Sequence, residues 1–133
     1  MACYSPGLDL IKMPVGPFQT TESFAATLAH ELIHATGHSK RLDRFKANSE
    51  RFKDPKSCYA FEELVAELGA AFVCAELGVV GEHLQHESYI DYWLSELKRD
   101  KRLIFSAASL ASAAHRFVMG HVDEGKPALP AAA

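Results

Sequence analysis

Two histidines stand four residues apart, with a glutamate beside the first, inside a stretch of helical periodicity: His30-Glu31-Leu32-Ile33-His34. Thr20, Thr21 and Ser23 offer N-cap hydroxyls ahead of it, and Gly37 offers a C-terminal stop. Phe24, Leu28, Leu32 and Ala35 recur at spacings of three and four, which predicts a helix to about Thr36 with these residues as its buried face. Four residues is about 1.1 turns and roughly 6 Å of rise, so both imidazoles leave one face of that helix. Two imidazoles and a carboxylate are costly to bury without a metal. The rings fit two corners of a zinc tetrahedron. Glu31 is set to reach a water on the metal rather than the metal itself, the place of a general base in peptide hydrolysis.

A catalytic zinc commonly takes three protein ligands and leaves one corner for water. In a metzincin a glycine would follow His34 by three residues and a histidine by six. Gly37 satisfies the first, but Lys40 stands at the second position and His38 comes two residues early. The next helical stretch, about Tyr59 to Leu77 with Gly78 as its stop, carries Glu62, Glu63 and Glu67. Glu63 and Glu67 are four apart, share a face, and repel each other unless a cation or proton relieves them. The pair resembles the gluzincin arrangement, in which one glutamate ligates and an acidic residue one turn later orients a ligand histidine. That implies Glu63 as third ligand and Glu67 behind a histidine, with the reverse order left open. Glu62 reads as a solvated carboxylate. Tyr59 is a candidate phenol for a tetrahedral intermediate, and His38 a candidate for binding substrate or an oxyanion. Packing at the helix start and a helix C-terminal cap are their respective alternatives.

The remaining chain has to supply the layers around this site. At 133 residues and 14.6 kDa, with 48% apolar and 23% charged residues, it suits one globular domain and excludes wholesale disorder. Leu8 to Met13 reads as one strand ended by Pro14 and Pro17. Two more helices are expected, about Glu82 to Lys98 with Ile90, Trp93, Leu94 and Leu97 inward, and about Asp100 to Met119 with Ala107, Ala111 and Ala114 among the inward positions. Gly120 is read as closing the last helix. The fold class is therefore mainly α with a little strand (α+β), about four helices over residues 1–120, followed by a disordered tail over 121–133. His83 and His86 read as surface histidines, Cys74 as a small buried hydrophobe, and Trp93 with Tyr89 and Tyr92 as helix packing. No membrane span and no signal peptide are read, so the expected location is cytoplasmic. Cys3, Cys58 and Cys74 do not suggest a disulfide framework.

Net charge is −3, which argues against a general electrostatic affinity for nucleic acid. The charge is nevertheless uneven. Lys40, Arg41, Arg44, Lys46, Arg51, Lys53 and Lys56 face only Asp43, Glu50 and Asp54 within residues 40–56, a net +4. Lys98, Arg99, Lys101 and Arg102 form a second basic knot. The 40–56 stretch is read as a polar loop, and the alternative function is a non-catalytic module that binds single-stranded DNA or a partner protein through it.

The blocks HELIHATGHSKRLDR, YAFEELVAELGAAFVCAELG and SYIDYWLSELKRDKRLIFSAASLASAA, with the opening YSPGLDLIKMPVGPF, resemble the C-terminal zincin-like metallopeptidase domain of ArdC-type antirestriction proteins. The same domain recurs in TraC-type plasmid DNA primases and phage-borne polyvalent proteins. The likeness spans about residues 4–119. It implies a zincin fold, one Zn2+ per chain, a peptide or protein substrate, and a place on conjugative plasmids or phages in protecting incoming DNA. Such proteins carry a separate single-stranded-DNA-binding domain upstream, which is expected to be missing here, as in an excised domain or a truncated gene product.

Overall fold

A computed structural model describes residues 1–16, 20–79 and 87–124. Strands β1 (Cys3–Ser5) and β2 (Leu10–Lys12) pair antiparallel, with Cys3 opposite Lys12 and Tyr4 opposite Ile11. The single expected strand is thus a hairpin. Asp9 turns it in the left-handed region (φ 49°) and is held there by Tyr4 and Arg41.

Five helices follow among the described residues: α1 (Thr21–Thr36), α2 (Arg44–Arg51), α3 (Pro55–Leu77), α4 (Glu87–Arg99) and α5 (Arg102–Glu124). The caps explain most of these limits. Thr20 is extended and its hydroxyl accepts from Ser23 N at 3.0 Å. Asp54 accepts from Lys56 N and Ser57 N, and Pro55 occupies the first turn, so α3 begins four residues before the expected Tyr59. Gly78 ends α3 in the left-handed conformation (φ 71°), with Val79 N donating to Cys74 O at 2.8 Å. Gly120 stays out of that conformation, so α5 continues through it to Glu124. The expected tail therefore loses residues 121–124 to the helix. Residues 125–133, the expected helix start at Glu82, His83 and His86 lie outside the described residues.

The core is α3 with α1 and α5 packed on it, and α4 against the start of α3. Ala107, Ala111 and Ala114 of α5 are fully buried and share the core with Ala66, Ala70 and Val73 of α3, small residues that let the two helices approach. Trp93 donates its indole N–H to Ala60 O at 2.7 Å, and the Tyr92 hydroxyl meets Ser57 Oγ at 2.7 Å. Both therefore serve helix packing, as expected, and Cys74 is buried in the core. Leu94, expected inward, is exposed. By length and composition α5 alone among the described helices could cross a membrane, but its alanine edge is spent on α3.

Two sequence expectations change. The buried stripe of α1 is Ala29 and Ile33 with Ala26, not Phe24, Leu28, Leu32 and Ala35. The helix is rolled so that His30 and His34 meet α3, which leaves Phe24 exposed and Leu32 and Ala35 half-buried towards the hairpin and the end of α5. The basic 40–56 stretch contains the helix α2, and four of its seven cations are engaged internally. Arg44 is buried, Arg41 pairs with Asp9, Arg51 lies over Phe52 and Phe61, and Lys56 lies over Tyr92.

Candidate metal centre

One turn of α1 sets His30 above His34, and one turn of α3 crosses opposite them with Glu62 and Glu63. The crossing is close because Gly69 has no side chain: a Cβ there would lie 2.9 Å from Ile33. His30 Nε2 and His34 Nε2 are 3.1 Å apart. Glu63 spans both, Oε2 at 3.2 Å from His30 Nε2 and Oε1 at 3.0 Å from His34 Nε2. Ligand atoms of the three residues all lie within 4.8 Å of one another. Around a tetrahedral zinc with bonds near 2.05 Å, neighbouring ligand atoms stand about 3.3 Å apart. The donor set and its spacing fit that ion.

The far side of each ring is also held. His30 Nδ1 lies 3.2 Å from Glu67 Oε1, and His34 Nδ1 lies 3.1 Å from Glu62 Oε1. A carboxylate thus stands ready to accept from Nδ1–H of each imidazole, the arrangement that would leave Nε2 for a metal. Glu63, and not Glu67, sits on the side where the two Nε2 atoms converge. Glu62 is 8% exposed, so it is not the solvated carboxylate expected from sequence. The signal lies in the acceptors: two rings that held a metal through Nε2 would need two Nδ1 acceptors, and with Glu63 set aside as the third ligand only Glu62 and Glu67 remain in the run.

Electrostatics follow from this crowding. Burial disfavours the charged ring of His30, but hydrogen bonds and charge from Glu63 and Glu67 outweigh it and raise its pKa to about 10. His34 is raised against burial in the same way by Glu62 and Glu63. Glu63 is buried too, yet the two rings hold it well below the usual carboxylate range. Burial of Glu62 is likewise overcome, by Arg44 and His34, and its pKa is lowered. Cations are wanted between these acids, and protons supply them when no metal does.

The cluster floors an open cavity of about 620 Å³ between the hairpin, α1, α2 and α3. Glu31 lines the floor, while Phe45, Phe52, Pro55 and Tyr59 line the walls with Cys58, whose thiol pKa burial raises. Tyr59 is 54% exposed on that wall, one turn before Glu63. His38 lies outside the cavity lining. Its Nδ1 accepts from Lys40 N at 3.0 Å and its carbonyl accepts from Arg41 N and Asp43 N, which makes it an organiser of the turn after α1.

The zincin-like metallopeptidase family matches residues 1–110. The chain belongs to that family. Two DNA primases named TraC from Escherichia coli are 37% and 38% identical to this zincin-like domain over 119 residues, 89% of this chain and 8% and 11% of theirs. The uncharacterized protein y4eC of Sinorhizobium fredii is 41% identical over 112 residues, 83% of this chain and 35% of that one. A metal-free crystal structure of the antirestriction ArdC protein from the R388 plasmid matches with a TM-score of 0.80 at 44% identity, covering 96% of this chain and 45% of that one. The chain spans less than half the length of each of these relatives. The mainly helical zincin-like fold expected from sequence is the fold observed.

Proposed function

We propose that this zincin-like domain is a zinc-dependent peptidase acting on a protein or peptide substrate in the cytoplasm, as part of a plasmid- or phage-borne protein of the antirestriction or primase kind. One observation carries the reading: two imidazole nitrogens and one carboxylate converge within 4.8 Å on the floor of an open cavity that Glu31 shares. His30, His34 and Glu63 would hold one Zn2+ per chain, which when bound supplies the Lewis acidity that acidifies water and polarises a carbonyl.

Other steps fall to the chain's own side chains. Glu31 takes the proton from the attacking water and returns it to the leaving amine. Tyr59, on the exposed wall, donates its phenol towards the oxygen of the carbonyl under attack. Phe45, Phe52 and Pro55 accept the apolar side chains of an extended peptide. No step is given to His38, which is not among the cavity-lining residues and whose Nδ1 accepts from Lys40 N.

Fluorescein-labelled casein, incubated with zinc-loaded protein, tests the proposal. Glu31→Gln is expected to keep one zinc per chain and lose about 100-fold or more of the cleavage rate. Equal cleavage by the variant, free of contaminating protease, would sink the mechanism. No cleavage by the wild type of casein or of a random peptide library would sink the peptidase reading.

A further inference from the structure

One of the two ligand histidines, His34, is tied through Glu62 to the helix that the sequence reads as a loop. Arg44 of α2 is 3% exposed. Its guanidinium forks onto Glu62, Nε donating to Oε2 at 2.8 Å and Nη2 to Oε1 at 2.7 Å. The same group grips the end of α1, with Nη1 donating to Thr36 Oγ1 at 3.0 Å and Nη2 to Ile33 O at 2.9 Å. Asn48, one turn along α2, donates to Glu62 Oε2 at 3.4 Å. Glu62 faces His34 Nδ1 at 3.1 Å. His30 meets Glu67, a carboxylate of α3.

A buried Arg–Glu pair is on average no more stabilising than apolar residues of the same volume, so stability is a poor account of this fork. Orientation is a better one. The planar guanidinium fixes both oxygens of Glu62 at once, which a lysine cannot do. A carboxylate so fixed selects the His34 tautomer with hydrogen on Nδ1 and sets the plane of the ring.

We propose that Arg44 is a positioning residue of the metal centre: through Glu62 it holds the His34 ring with Nε2 aimed at the site, so metal affinity depends on α2 being docked. Phe45 and Ser49 of the same helix line the cavity above the cluster, and Gly37 leaves room for Phe45 and Arg44 against the end of α1. The helix that walls the substrate cavity is therefore the one that aims a ligand. This inference rests on the metal-centre part of the preceding proposal and not on peptide hydrolysis.

Zinc affinity, measured by competition with a fluorescent chelator, and the visible absorption of the cobalt(II)-loaded protein test it together. Arg44→Met is expected to bind zinc about 10- to 100-fold more weakly and to shift or weaken the cobalt bands. Arg44→Lys keeps the charge without the fork, so it is expected to fold, to lose part of that affinity, and to show the altered cobalt spectrum. Lys46→Met, exposed on the same helix, should leave both readouts unchanged. If Arg44→Met fails to fold by circular dichroism, Arg44→Lys decides: wild-type zinc affinity with an unchanged cobalt spectrum overturns the proposal. A wild-type protein that takes up neither ion overturns the metal centre and this inference with it.

Discussion

The residues around the two imidazoles are arranged for a cation, and the metal-free protein answers with protons. His30 has its pKa raised to about 10 because Glu63 and Glu67 outweigh the cost of burial. A histidine raised above its ordinary value near 6.5 lends stability that is complete below that value and is lost as pH climbs towards the folded value. Glu62 and Glu63 are lowered, so their contribution is present above ordinary carboxylate values and lost as pH falls through them. In chelator, the melting temperature is thus expected to hold near pH 6 and to fall by about 5 °C or more by pH 10. The zinc-loaded protein should not share that fall, because its Nε2 atoms then carry metal. Zinc uptake should release protons over the same range, visible as a buffer-dependent heat in calorimetry. A melting temperature in chelator that stays flat between pH 6 and 10 would contradict the proton-filled cluster.

Among the elements, those with strong local signals are legible and those held by tertiary contacts are not. Thr20 before α1 and Gly78 after α3 act as the caps their residue types suggest, and the alanine stripe of α5 is buried as its spacing implies. The α2 helix escapes because its eight residues, RFKANSER, carry almost no apolar face. What holds it is the fork of Arg44 on Glu62 and Phe45 seated over Gly37, contacts with residues far along the chain or with no side chain at all. The roll of α1 escapes for a related reason. Two apolar stripes compete there, and the winner is the one beside the histidines, because Glu62, Glu63 and Glu67 draw the rings inwards. Within the site, His30, Glu31 and His34 are legible from spacing alone, whereas the role of Glu62 needs the partner of His34 to be seen. Gly69 tests the crossing. Alanine would gain about 1 kcal/mol of helix propensity, but its Cβ would meet three atoms of the stiff, fully buried Ile33 within 3.0 Å. Overpacking of that kind costs about 1–3 kcal/mol. Gly69→Ala is therefore expected to be net destabilising by about 1 kcal/mol in urea unfolding, with zinc held more weakly, and Ile33→Val in the same chain should recover part of both. A stabilised Gly69→Ala protein would mean the helices do not approach this closely.

At the scale of the whole molecule, the position of the cluster matters more than its chemistry. A domain of 133 residues has one core, and here the α1–α3 half of it is split. Ile33, Val65 and Ala66 fill one side, and His30, His34, Glu62 and Glu63 fill the other. Seven of the fifteen buried apolar residues among those described are alanines, which bring helices close but bury little area each. A protein so divided leans on whatever neutralises its acidic side, so metal binding and folding have to be linked. At a zinc concentration of about 100 times Kd, that linkage adds about 2.7 kcal/mol, or about 10 °C in melting temperature for a chain of this size. Zinc-loaded protein is thus expected to melt about 10 °C above protein in chelator near neutral pH. Glu31→Gln should keep the full difference, since Glu31 is not among the three residues whose ligand atoms converge. His34→Ala should abolish it, because a lost ligand leaves Glu62 and Glu63 without their shared partner. Equal melting temperatures with and without chelator, in protein shown by elemental analysis to carry zinc, would separate the metal from the fold. The centre would then be an addition to a core that stands without it.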